Sequence, residues 1–173
     1  MADASERVVL GFAAAKLSQL GGRIQDCLGR LTGEQIWARF GDNSNAVGNL
    51  VLHLCGNVRQ RIISGVGGAP DIRRRPEEFA ARGGPSGPEL AARLDATLRM
   101  AVAVIEALPA ERLAERVLIQ GYDVTKLEAV LHVLEHFAQH TGQILFATKA
   151  VTGADLGYYA HLDKLAPRQD PNP

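Results

Sequence analysis

The chain has 173 residues, 46% of them hydrophobic and 22% charged, which suits one globular domain able to bury a full core. Nineteen Lys and Arg balance nineteen Asp and Glu, so no overall field favours nucleic acid or an anionic membrane, and neither is expected as a partner. No run of about 18 apolar residues occurs, so no membrane span is expected. The N-terminus, MADASERVVLGFAAAK, lacks the basic and then apolar regions of a signal peptide, and a cytoplasmic location follows as the expectation.

Asp3 or Ser5 is placed to cap a first helix reaching about Leu31. Val8, Val9, Phe12, Leu17, Leu20, Ile24, Leu28 and Leu31 recur in it at helical steps. Gly21 and Gly22 in its middle cost roughly 2 kcal/mol of propensity against alanine, so the pair signals a close helix contact or a kink. Cys27 and Cys55 both fall inside predicted helices without CxxC spacing and read as buried thiols. Thr32 and Gly33 end the first helix, and Ile36, Trp37 and Phe40 make an apolar connection.

Asn43, Ser44 and Asn45, all good capping types, open a second helix running to about Ser64. Val47, Leu50, Val51, Leu54, Val58 and Ile62 share one face, with His53 at its flank beside Asn49, Asn57 and Arg61. Residues 69–87, APDIRRRPEEFAARGGPSG, then form a long crossover rich in Pro, Gly and Arg, the kind of connection that covers a site. A third helix starts at a Ser86/Glu89 capping box and closes at Pro109, with Leu90, Leu94, Leu98, Ala101, Val102 and Ile105 as its core positions. Residues 117–122 read as a short extended run. A Thr125/Glu128 capping box opens a fourth helix to about Val151. Four amphipathic helices with one long crossover between the second and third make an all-α four-helix bundle over residues 1–160. The tail, 161–173, is polar and Pro-rich and is expected to be partly disordered.

The fourth helix carries three histidines, His132, His136 and His140, in LHVLEHFAQHTGQIL. On a helical wheel its apolar centre lies near Val130, Phe137 and Thr141; His140 stands roughly 80° from that centre, His136 about 120°, and His132 nearly opposite. One ion can take ligands from i and i+4, but not easily from i and i+8, which are about 12 Å apart along the axis. The useful pair is therefore His136 and His140, with His132 left to the surface. His53 on the second helix offers a further imidazole, and three neutral imidazoles with an open position suit a catalytic divalent metal, zinc or nickel by ligand type. Glu135, Gln139 and Gln143 are either solvated or close to that site.

His53 in HLCGN, together with HFAQHTGQI from His136, resembles the DinB/YfiT-like superfamily of metal-dependent enzymes, and in particular a branch of small bacterial proteins. The likeness spans most of the chain and includes the H-x-x-G-N segment, Arg61 and the basic-then-acidic stretch RRRPEEF. It implies a four-helix bundle whose metal ligands are His53, His136 and His140. Gly142 and Gln143 match the ending of the motif, for close helix packing and a polar contact near the site. Ile62 stands where the branch often has an aromatic residue, so the lining of the pocket differs.

The resemblance further implies activation of water or a low-molecular-weight thiol toward a small-molecule substrate, as in a hydrolase or thiol transferase; a non-catalytic metal-binding or stress-associated module is the alternative. A homodimer is the default assembly for a bundle of this size. Asn57 and Arg61 are candidate pocket residues for substrate or cofactor. Arg61 and the arginines at 73–75 can hold an anionic group by bidentate contacts; equally, they can pair with Glu77, Glu78 or Glu89.

Overall fold

The computed structural model describes residues 4–162. Helix α1 spans Ala4–Arg30, α2 Gly33–Trp37, α3 Val47–Val58, α4 Arg75–Ala80, α5 Gly87–Ala107 and α6 Lys126–Thr152. A π-helical stretch, Arg59–Val66, continues α3 without a break. Strands β1 (Arg116–Ile119) and β2 (Tyr122–Thr125) form a small antiparallel hairpin, the only sheet among the described residues. The four long helices form the expected bundle: α1 packs on α5 and α6, and α3 packs on the same two from the other side. The expected capping by Asp3 and the tail beyond residue 162 lie outside the described residues.

Local chemistry explains most boundaries. Thr125 Oγ1 accepts from Glu128 N–H, and Glu128 Oε2 accepts from Thr125 N–H, so α6 starts in a reciprocal box. Glu89 closes the start of α5 by accepting from the Ser86 N–H and hydroxyl. Gly153 ends α6 in a left-handed conformation, φ 67°, that returns its N–H to Lys149 O. The second helix departs from expectation: it begins at Val47, not at the 43–45 cluster, and Asn49 Oδ1 accepts from the buried N–H of Ala46. Ser5 lies inside α1 rather than capping it.

The core stripe of α1 also differs from the sequence reading. Leu10, Ala13, Leu17, Leu20, Ile24 and Cys27 point inward, while Val8 is 70% and Phe12 59% exposed. Both sets obey helical spacing, and packing against α5 and α6 selects the one that runs unbroken to the helix end. The run at 117–122 extends into a complete hairpin, because Gln120 and Gly121 both take positive φ, 55° and 82°, as a tight primed turn needs. No helix among the described residues is long and apolar enough to cross a membrane.

The glycine pair in α1 resolves into two different cases. A Cβ on Gly21 would run into Leu98 of α5, whereas Gly22 faces open space. Gly22→Ala is therefore expected to raise stability by about 1 kcal/mol through helix propensity alone. Gly21→Ala should fall short of that gain by about 1 kcal/mol or more, because Leu98 must shift. Urea unfolding of the two variants beside the parent checks both.

Candidate metal centre

The site lies between α3 and α6 and is completed by the crossover. α3 is buried nearly all round, which its apolar sequence permits and which the crossover brings about by folding α4 across it. Asn49, fully buried, pins α4 in place: its Nδ2 donates to Glu78 O and Ala81 O, both at 2.9 Å. Arg39 Nη2 adds donations to Asn49 Oδ1 and Phe79 O. These contacts satisfy carbonyls at the end of a short helix that would otherwise be orphaned.

Thus anchored, α4 delivers the Glu78 carboxylate to His53. Glu78 Oε2 accepts from His53 Nδ1 at 3.0 Å, and Arg73 holds the same carboxylate through Nε and Nη2, both at 2.8 Å. Burial raises the Glu78 pKa, but the hydrogen bonds from Arg73 and His53 outweigh it and leave the carboxyl below its usual value. Gly56 provides the space, since a Cβ there would collide with the Glu78 carboxyl and meet Arg73 Nε at 3.0 Å. The H-x-x-G-N spacing therefore has a packing reason: one turn after His53, only glycine lets the carboxylate reach the ring.

With Nδ1–H committed to Glu78, His53 turns a bare Nε2 lone pair toward His136, whose Nε2 is 3.1 Å away. On α6, His140 Nδ1–H donates to Gln143 Oε1 at 2.7 Å, which aims its Nε2 at His136 Nε2 from 3.2 Å. Each of the three residues offers one ring nitrogen, and these atoms lie within 4.8 Å of one another. In a tetrahedral site with metal–nitrogen bonds of about 2.0–2.1 Å, ligand nitrogens stand about 3.3–3.4 Å apart, close to the separations seen. One proton on His136 Nε2 satisfies only one of its two neighbours. A ring nitrogen carries no second hydrogen, so the other contact has no proton of His136 to fill it, and burial, then the proximity of His140 and His53, pushes the His136 pKa down to about 3 and keeps the ring neutral. The arrangement suits a divalent cation.

The structure brings together His53, His136 and His140 and leaves His132 out, exposed but stacked on His136 with ring centroids 5.8 Å apart. His53 is buried rather than at the border of core and solvent, because α4 and the Phe79 ring, 4.6 Å away, cover it. Asn57 and Arg61 are likewise buried, and with His53, His132, His136 and Tyr122 they line a cavity of about 530 Å³. Of the alternatives for the arginines, Arg73 pairs with Glu78, Arg74 pairs with Glu77, and Arg75 lies over the Phe79 ring. Gln143 makes the polar contact expected of it, but Gly142 faces open space and packs against no helix. Glu135 and Gln139 are exposed. Both cysteines are buried and free; burial raises the Cys27 pKa and pushes Cys55 up to about 11, which makes them poor nucleophiles.

The sequence matches a family of proteins of unknown function, DUF1572, over residues 7–160. The chain belongs to the DUF1572 family. Solved structures add the fold. A conserved protein from Enterococcus faecalis is similar with a TM-score of 0.68 and 16% identity, over 83% of this chain and 97% of that one. The DinB-like protein YjoA from Bacillus subtilis follows with a TM-score of 0.65 and 15% identity, over 85% and 96%. A DinB-like protein from Bacillus cereus has a TM-score of 0.62 and 15% identity, over 76% and 85%. No curated protein matches the sequence. This DUF1572 member therefore has the DinB-like fold anticipated from its histidine motifs.

Sequence reasoning missed the Glu78–His53 bond in this DUF1572 chain, although the acidic pair after Pro76 was its signal. Gly56→Ala should displace Glu78 and weaken metal binding by about 10–100-fold while helical content is kept. Glu78→Gln should do the same, both read by competition with a chromophoric chelator.

A second expectation concerns pH. The unfolded chain protonates His136 near 6.5, whereas the folded chain resists until about 3, so the unfolded state binds more protons in that window. Stability of metal-free protein must then fall as pH drops from about 6.5 toward 3, and the depressed His132 and His140 act in the same direction. Thermal unfolding in chelator at pH 7.5 and pH 5 should show the loss, and His136→Ala should make it shallower.

Proposed function

We propose that this protein is a divalent-metal-dependent enzyme in which His53, His136 and His140 hold the ion and a water or low-molecular-weight thiol is activated beside it. The observation that carries this reading is the convergence of three imidazole Nε2 atoms, two of them fixed as lone-pair donors by Glu78 and Gln143. When bound, a zinc or nickel ion on three neutral imidazoles supplies Lewis acidity that brings a water or thiol toward ionisation at neutral pH.

The chain's own residues do the rest. Glu78 orients the His53 ring and, through the hydrogen bond, makes it a better electron donor. Phe79 covers that ring, and the cavity beside His136 admits a small molecule. A metal-binding module without turnover is the second reading, favoured by one feature of the cavity. Its lone lining carboxylate among the described residues, Glu128, is spent on the Thr125 cap and is no free base.

Protein purified without a histidine tag should carry a single divalent ion per chain by elemental analysis. His136→Ala should lose it and His132→Ala should keep it; full metal content in His136→Ala would end the proposal. A screen of small thiols with electrophiles then separates the two readings. Chelator-sensitive product supports the enzyme, and metal binding without product supports the module.

A further inference from the structure

At the far end of the cavity from the three histidines lies Arg61. It sits two turns after His53 along α3 and its π-helical continuation, on the same face as Asn57. On α6 its neighbour is His132, whose pKa is held down by the partial burial of its ring and then by the Arg61 charge. His53 meets His136 and His140, while Arg61 meets His132, so the two helices run antiparallel and the cavity follows their seam. One end is built of imidazoles and the other of the Arg61 guanidinium.

That guanidinium is poorly compensated. Arg61 is only 7% exposed, yet no carboxylate pairs with it among the described residues. Its Nε is buried without a partner, and its Nη2 reaches only a neutral acceptor, Gln120 Oε1, at 3.4 Å. Burial first, and then repulsion from Arg73, holds its pKa below the usual arginine value. The other arginines nearby are engaged, Arg73 by Glu78 and Arg75 by the Phe79 ring. A buried charge without a counter-charge is costly, and a protein retains one where a ligand supplies the missing partner.

The hairpin is shaped around this group. Gln120 is the one non-glycine with positive φ among the described residues, at the turn that hangs its side chain over Arg61. Ile119 beside it packs into the gap left by Gly65 on the π-helical segment, at 2.5 Å from where a Cβ would stand. Wide π turns recur at functional sites, and here one carries the arginine.

We infer that Arg61 anchors the anionic group of the substrate, a carboxylate or phosphate, while the reactive end of the same molecule reaches the three histidines. Arginine's planar fork suits both oxyanions through paired N–H donors. One helical turn, about 5.4 Å, separates His132 from His136, so the anion lies about 5–10 Å from the reactive end. The substrate class is thus a small acid or phosphorylated compound with a short spacer before its electrophilic or thiol group. What occupies the histidine end follows from the metal-site proposal, but the anion site itself does not depend on an ion.

The test uses full-length metal-free protein, so that added anions have no metal to bind. Inorganic phosphate and succinate are titrated separately at constant ionic strength, with chloride as the control, and the arginine Nε–Hε signals are followed by NMR. The Arg61 signal, assigned by its loss in Arg61→Gln, should shift saturably with one or both anions and not with chloride. Phosphate alone shifting it selects a phosphorylated substrate, and succinate alone selects a carboxylate. Arg61→Lys should keep part of the binding, and Gln120→Ala should weaken it several-fold without abolishing it.

An Arg61 signal in the parent protein, assigned by its loss in Arg61→Lys should Arg61→Gln fail to fold, that responds to neither anion, or no more than to chloride, overturns the inference. Metal content measured on the same preparations keeps the two proposals apart. Metal uptake without anion binding removes only the anion site; anion binding without metal uptake removes only the metal site.

Discussion

The site depends on one buried ion pair, Glu78 with Arg73, set against the side of α3. Burying two charges is unfavourable unless each finds several partners, and here they do. Glu78 accepts three hydrogen bonds from two residues, and Arg73 also donates to Gln60 Oε1. The pair holds the crossover to the bundle and fixes which nitrogen of His53 carries the proton. Its position in turn rests on Asn49, a neutral residue whose amide grips the backbone carbonyls of Glu78 and Ala81.

This division of labour has a physical logic. A metal ligand needs an uncharged ring, a defined tautomer and little rotational freedom, and each comes from a different neighbour. Burial keeps His136 uncharged, Glu78 and Gln143 set the tautomers of His53 and His140, and Phe79 restrains the His53 ring. The ligands themselves stand on long helices whose packing is shared with the core through Phe137 and Leu54. Chemistry placed on helices of the bundle is held more firmly than chemistry placed on loops.

Much of this was legible in the sequence. The helical wheel separated His136 and His140 from His132 before any fold was known, since the angular drift of a four-residue repeat is fixed by helix geometry. The capping boxes at Ser86 and Thr125 marked the starts of the third and fourth long helices. Helix α4 was harder to see, because Pro, Gly and Arg around it suggest irregular chain, although Pro76 in its first turn is a helix-start signal. The long crossover was expected to cover a site, but the burial of His53 under α4 and of Arg61 beside the hairpin needs those two elements, which the residues only half announce. The hairpin was half hidden too: its turn uses Gln120 where Asn, Asp or Gly would announce it. The inward face of α1 was undetermined by spacing alone, and only its neighbours decide between Leu10 and Phe12.

His53 and His136 are 83 residues apart in sequence, yet their ring nitrogens meet at 3.1 Å. Any ion shared by them ties two distant points of the chain together as a removable cross-link. Unlike a covalent cross-link, such a tie is released when the chain unfolds, so it acts by favouring the folded state and not by restricting the unfolded one. Because the ligand set exists only once α6 has docked on α3, an ion recognises the finished fold and not its precursors. The concentration of free metal around the protein would then help determine how long the bundle stays folded.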